Sequence, residues 1–276
     1  MRLRRVITDI IMYGGLIVLS FFIILPFVWM VSTSFKPPEE VFHTPPILVS
    51  RNATLEGYRF VIVDKNALGA LFNTAFVATT STAVSLFFCT LGGYGFAKFQ
   101  FPGRGLLFSF LLGTMIIPGV IMIVPTFVMM VRLGWYNTFL PLVVPGAANA
   151  FGIFFMRQYI SSVSNEIMDA ARIDGCSEFE IFWRVILPIC IPGLTTLGLI
   201  FFMASWNNYL LPSIYLRAAE LQTLPLLQMQ MQGPSGYTMY REWMALSTIS
   251  TVPLLIIFLL FQRRFVEGIT AGAVTG

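Results

Sequence analysis

Six stretches of this chain are long and apolar enough to leave water altogether: Ile10–Val31, Ala67–Ala97, Gly105–Val131, Thr138–Gln158, Pro188–Ile214 and Trp243–Phe261. About 18–20 apolar residues wound at 1.5 Å each cross the hydrocarbon of a bilayer. At that depth no water can satisfy a backbone amide, so each run must close its own hydrogen bonds as a helix. Composition agrees: 57% of the 276 residues are hydrophobic and 11% charged, against roughly 25% charged in a soluble domain. The expected fold is therefore all-α and integral to the membrane, with six transmembrane helices. Arg2, Arg4 and Arg5 precede the first run as in a secretory leader. That run is too long for a leader and no small-residue cleavage site follows it, so it reads as a retained helix.

Six crossings put both termini on one side. Ten Lys and Arg flank that side: Arg2, Arg4, Arg5, Lys98, Arg104, Arg157, Arg172, Arg184, Arg263 and Arg264. The other side has seven, and four of these share the loop Ser32–Asn66 with Glu39, Glu40, Glu56 and Asp64. The basic side is expected to be cytoplasmic, which makes the chain a multi-pass protein of the cell membrane with both termini inside. The net charge of +4 is spread over loop ends without a basic stripe, so nucleic acid is not an expected partner. Trp206, Tyr209, Tyr215, Tyr237, Tyr240 and Trp243 suit an aromatic belt at the interface with lipid. The chain divides into a helix with an external loop (1–66), a membrane core (67–262) and a tail (263–276).

Catalytic chemistry has little to stand on. Three scattered cysteines (Cys89, Cys176, Cys190) and one histidine, His43, give no metal site. A phosphate loop needs Gly-Lys followed by Ser or Thr, yet Lys36, Lys65 and Lys98 precede Pro, Asn and Phe. Any energy from ATP must come from another chain. All 13 acidic residues lie in loops or at span ends, which disfavours an ion-coupled carrier with a carboxylate relay at depth. Neutral polar groups do occur at depth. Asn73, Asn149, Trp206, Asn207 and Asn208 are the candidate lining of a path for a hydroxyl-rich solute. Taken singly, each reads first as a hydrogen-bonding contact between helices; recurrence across four spans favours a lining only for the set.

The loop 164–187 is the most informative polar segment. Ser164 can cap a helix whose first turn holds Glu166, and Gly175 can end it in the left-handed conformation. Ser177 with Glu180 forms a capping box for a second helix, on which Phe179, Phe182, Trp183 and Ile186 make an apolar face. Two readings stay open on these grounds: an amphipathic hairpin lying on the membrane, or a knob for a cytoplasmic protein. Ala170 and Ala171 would give that knob a smooth surface and Asp174-Gly175 a tight tip.

The sequence Asp169-Ala170-Ala171-Arg172-Ile173-Asp174-Gly175, followed by Phe182 and Leu187-Pro188, resembles the cytoplasmic signature of binding-protein-dependent ABC permeases, with Asp169 where glutamate is usual. Tyr94–Arg104 and Trp206-Asn207-Asn208-Tyr209 with Pro212 resemble the carbohydrate-transporting subgroup, and the glycine-rich end 265–276 resembles the tail of the smaller permease of maltose-type importers, with Thr275 where lysine is usual. The resemblance implies the type I importer bundle. It also implies a second homologous permease, two ABC ATPase subunits that use ATP and Mg²⁺, an external solute-binding protein, a sugar substrate and surrounding lipid, with no cofactor on this chain. Asp169, Ala170, Ala171, Asp174, Gly175, Phe182, Leu187 and Pro188 are then the ATPase-coupling residues. A membrane scaffold that recruits an ATPase without transport is the alternative.

Overall fold

The computed structural model describes residues 2–231 and 239–273, with the side chains of 2–7, 261 and 263–273 left out. Tyr237, the turn around Gly233-Pro234 and Gly236, and Thr275 fall outside the described residues, as do the side chains of Arg2, Arg4, Arg5, Arg263 and Arg264. Every regular element among the described residues is helical. The chain forms two compact units, Met1–Leu68 with Leu227–Pro253, and Gly69–Leu226 with Leu254–Gly276.

The first unit begins with helix α1, Arg2–Ser34. Residues 8–28 are exposed along their whole length, as suits a helix solvated by lipid. Beyond it the segment 35–64 folds back onto the end of α1. Ser34 Oγ lies 2.8 Å from the Tyr58 hydroxyl, and Thr54 N donates to Phe35 O at 2.8 Å. Lys36 is fully buried, with its ammonium 4.0 Å from the centre of the Trp29 ring and 3.3 Å from Thr33 Oγ1. Arg241 donates to Glu56 at 3.1 Å and to Glu242 at 2.6 Å. This ties the segment to the start of a long helix, Tyr240–Ala273.

The second unit is built on helix α2, Ala67–Lys98. It continues through α3 (Arg104–Thr114), α4 (Ile123–Arg132) and α5 (Ala150–Ser161). Two short helices follow, α6 (Asn165–Ile173) and α7 (Glu178–Ile181). From α7 the chain runs on through the π turn Phe182–Ile186 and Leu187–Ile189 into α8 (Ile191–Trp206), and then α9 (Leu210–Tyr215).

Three expected spans are not straight helices. The third bends by 90° between α3 and α4. Pro118 is extended there (ψ 125°), and a proline disfavours helical geometry in the residue before it. The run Thr138–Gln158 is not one helix: Leu140–Val143 stops before Pro145-Gly146, and Asn149 starts α5 afresh by accepting from Gly152 N at 3.2 Å. The fifth bends by 78° between Ile189 and Ile191 and stops at Asn207. Among the described residues three helices are long and apolar enough to cross a membrane, or five if each bent pair counts once. Apolar periodicity sets where a chain enters lipid, and proline sets where the helix inside it breaks.

Small residues let these pieces touch. A Cβ on Gly93 of α2 would come within 2.7 Å of Met156 Cβ and 2.8 Å of the Arg157 backbone nitrogen, while one on Gly95 would meet nothing within 4 Å. Gly93→Ala should therefore lower the thermal midpoint of the purified complex, at a cost of about 1–3 kcal/mol for overpacking. Gly95→Ala, two residues along, should hold or raise it. Equal midpoints for the two variants would show that α2 and α5 do not meet at Gly93.

Candidate functional site

The segment 164–187 folds as two short helices around a left-handed turn. Ser164 Oγ accepts from Glu166 N at 3.2 Å and so caps α6. At the other end Gly175 has φ +85°. Gly175 N donates to Arg172 O, and Cys176 N to Ala171 O, each at 3.0 Å. That pair of bonds satisfies the last carbonyls of the helix and reverses the chain. Ser177 then caps α7 in a complete capping box with Glu180.

Ion pairs fix the angle between the two helices. Arg172 Nη1 donates to Asp169 Oδ1 at 2.7 Å, and its Nε donates to Glu178 Oε1, also at 2.7 Å. The other oxygen of Glu178 accepts from the Tyr94 hydroxyl of α2 at 3.0 Å. Lys98, the last residue of α2, donates to Val163 O and, at 2.9 Å, to Asn165 Oδ1. Below these polar ties lies one apolar cluster. Met168, Ile181, Phe182 and Ile186 are buried with Tyr94, Met156, Ile160 and Val163. The knob is thus fastened to α2 and α5 by packing as well as by charge.

The second helix corrects the expectation of a single apolar face. Phe182 and Ile186 point into the cluster, whereas Phe179 and Trp183 stay exposed. The π turn Phe182–Ile186, with bonds from i to i+5, shifts the residues along it off the 3.6-residue spacing. The exposed surface of the knob carries Asp169, Ala170, Ile173, Asp174 and Gly175, with Ala171 half-buried. Ile173 is 86% exposed, far more than an isoleucine in a finished core. Leu187 is half-buried and Pro188 exposed at the bend leading into α8.

The candidate lining residues are not gathered in one place. Asn73 donates to Glu220 O and Gln222 O at 2.7 and 2.9 Å, bracing a loop. Asn149 caps α5. Trp206 is 2% exposed and stacks on Phe202. Asn207 is exposed; its amide donates to Met203 O at 2.9 Å, which leaves its carbonyl oxygen without a partner among the described residues. Asn208 accepts from Leu211 N at 3.2 Å and borders a small polar cavity with Thr74, Ser205 and Thr223. Sequence reasoning missed Tyr94 and Lys98 as supports of the knob. Both are far from it along the chain, and no periodicity signals a contact made across the bundle.

The profile of the binding-protein-dependent transport system inner membrane component family matches residues 89–271. The chain is 32% identical over 265 residues to the arabinooligosaccharides transport system permease protein of Halalkalibacterium halodurans, covering 95% of each. It is 30% identical over 277 residues to the trehalose/maltose transport system permease protein of Thermococcus litoralis, covering 99% of each. A crystal structure of a bacterial ABC transporter involved in the import of the acidic polysaccharide alginate superposes with a TM-score of 0.81 at 25% identity, over 94% of this chain and 96% of that one. The fold is that of a type I ABC importer's membrane subunit. The chain belongs to the family of binding-protein-dependent transport system inner membrane components, which are multi-pass permeases.

Glu178 is held below its ordinary pKa of 4.5, first by the hydrogen bond from Arg172. Glu180 is held below 4.5 first by the Ser177 backbone amide. A depressed carboxylate stabilises the fold fully above its unfolded value and loses that contribution as pH falls through the folded one. Protection of amides 165–181 from hydrogen exchange, corrected for the intrinsic pH dependence of exchange, should hold down to about pH 4.5 and fall below it. In Glu178→Gln the acid step should shrink and exchange should be faster at neutral pH. A pH-independent pattern in the wild type would contradict the clamp.

Proposed function

We propose that this chain is one permease half of an ATP-driven importer for a carbohydrate, coupled to a cytoplasmic ATPase through residues 164–187. The observation that carries the reading is a rigid knob, braced from below, that presents small and apolar side chains to water. A hairpin lying on the membrane would instead turn Ile173 and Phe179 into lipid and would need no tip locked by Gly175. The two relatives above and the lactose transport system permease protein of Rhizobium radiobacter, 30% identical over 267 residues, are named for sugars and oligosaccharides. That shared chemistry supports a carbohydrate here.

In the assembled importer a second homologous permease completes the path. Two ABC ATPase subunits bind ATP and Mg²⁺ beneath it, and a solute-binding protein delivers substrate from outside, so this chain hydrolyses nothing itself. The two bent pairs each make one crossing and segment 138–161 the sixth, which leaves both termini cytoplasmic. Asp169, Ala170, Ala171, Asp174 and Gly175 form the contact surface. Phe182, Leu187 and Pro188 transmit its movement into α8. When ATP draws the ATPase subunits together, the knob moves as a piece and tilts the bundle between inward- and outward-facing states. Asn207, with its free carbonyl, and Asn208 are the best-placed groups to meet sugar hydroxyls.

Cys176 sits half-buried at the tip, while Cys89 and Cys190 are buried, so it is a natural reporter. An impermeant maleimide should label it in inside-out vesicles carrying the permeases alone, and co-expressed ATPase should shield it. Labelling indifferent to the ATPase would favour a chain that does not couple. Gly175→Val places a β-branched residue at positive φ, at a cost of roughly 1–2 kcal/mol. It should abolish sugar uptake by proteoliposomes while ATP hydrolysis persists. Uptake at the wild-type rate would remove the knob from the mechanism.

A further inference from the structure

We infer that Arg104 and Arg157 form a binding site for the phosphate of an anionic phospholipid, where α3 and α5 meet the edge of the membrane. The Arg157 guanidinium carbon lies 3.9 Å from the centre of the Phe108 ring. Its Nε is sealed from solvent without a hydrogen-bond partner. Arg104 opens the helix that carries Phe108, four residues earlier. Residues so spaced lie on one face of a helix, with Cβ atoms about 5–6 Å apart. Arg104 and Phe108 therefore share one face of α3, and Arg157 reaches that ring from α5.

Each is half-buried. Neither has a carboxylate within 4.0 Å among the described residues, although Arg172, Arg184 and Arg241 all do. A guanidinium with a desolvated nitrogen and no counter-ion is costly unless an anion arrives.

The surroundings select the anion. Leu106, Leu107 and Phe110, on the same helix, are 77%, 52% and 74% exposed, which makes the flank of the site a lipid-facing surface. Gly103, at φ +79°, turns the chain into the short polar connection that precedes Arg104. The pair thus stands at the boundary between acyl chains and headgroups, where the planar donor array of arginine matches two phosphate oxygens at once. A lipid held there would add a polar bridge between α3 and α5 to the ring contacts that Phe108 makes with Arg157 and Phe154. The inference depends on the membrane location of the chain and not on what it transports.

The test uses the complete importer, extracted from membranes of mixed phosphatidylglycerol and phosphatidylcholine, with the retained lipid counted by native mass spectrometry. The wild type should keep phosphatidylglycerol in preference to phosphatidylcholine. Arg104→Gln and Arg157→Gln should each weaken that retention about fivefold, the value of one basic residue at an anionic surface. Arg157→Lys, which keeps the charge, should restore part of it, and excess inorganic phosphate should not displace the lipid. Unchanged retention in both glutamine variants, or displacement by inorganic phosphate, would overturn the assignment. So would a wild-type complex that keeps no anionic lipid because a partner chain's carboxylate occupies the pair.

Discussion

Arg172 bonds two carboxylates at once, one on its own helix and one across the Gly175 turn, and the geometry of the knob depends on that double contact. Helix α6 has nine residues, too few to be stable alone in water. Met168 and Ala171 seat its underside on the apolar cluster and Lys98 holds Asn165 at its start, which leaves its far end freedom to swing. The guanidinium removes that freedom by joining α6 to α7, and Glu178 passes the restraint to Tyr94 on α2. Exposed ion pairs are individually weak. This one gains from being a network whose members are fixed by a capping box, a left-handed turn and a buried aromatic cluster. Its value lies in direction more than in stability: it sets where the tip points.

The same logic runs through the membrane part. Broken helices are tolerated in lipid only where neighbours or a polar cavity take up the freed backbone groups. The bend around Cys190 falls beside elements that pack tightly through glycine. Gly193, just beyond that bend, would set a Cβ 2.7 Å from the Tyr159 ring of α5, and a Cβ on Gly152 would lie 2.6 Å from Cys89 Sγ of α2. The result is a set of short rigid pieces in close contact, joined at a few proline-marked positions. Such a set can tilt as units when one end is pushed, which is what the proposed coupling to an ATPase requires.

Much of this was legible in the sequence because it follows from local rules. Long apolar runs gave helices, Ser164 and Ser177 gave caps, and Gly175 gave the turn. The family signature from Asp169 to Pro188 pointed to the permease class that the family match shows. What was not legible came from contacts between distant residues or from breaks inside apolar runs. The run Thr138–Gln158 looked continuous because hydropathy does not register that Pro145-Gly146 stops one helix and Asn149 starts another. Phe179 and Trp183 were expected to share a face with Phe182 and Ile186; their rings do touch Phe182, but they stay exposed while Phe182 and Ile186 are buried. Asn73, Asn149 and Trp206 drew attention as polar groups at depth, but composition cannot tell a side chain that braces the framework from one that faces a solute.

The proposed coupling requires that the knob and the Lys98 end of α2 move as one body. Spin labels at Cys176 and at a cysteine introduced at Gly95, where a side chain meets no neighbour within 4 Å, report that directly. Pulsed electron paramagnetic resonance on the full importer would give their separation with and without ATP and Mg²⁺. The account predicts one narrow distance distribution, unchanged by nucleotide, that broadens in Arg172→Gln. A separation that shifts when ATP binds the wild type would contradict it, because the knob would then be hinged on the bundle and could not drive it.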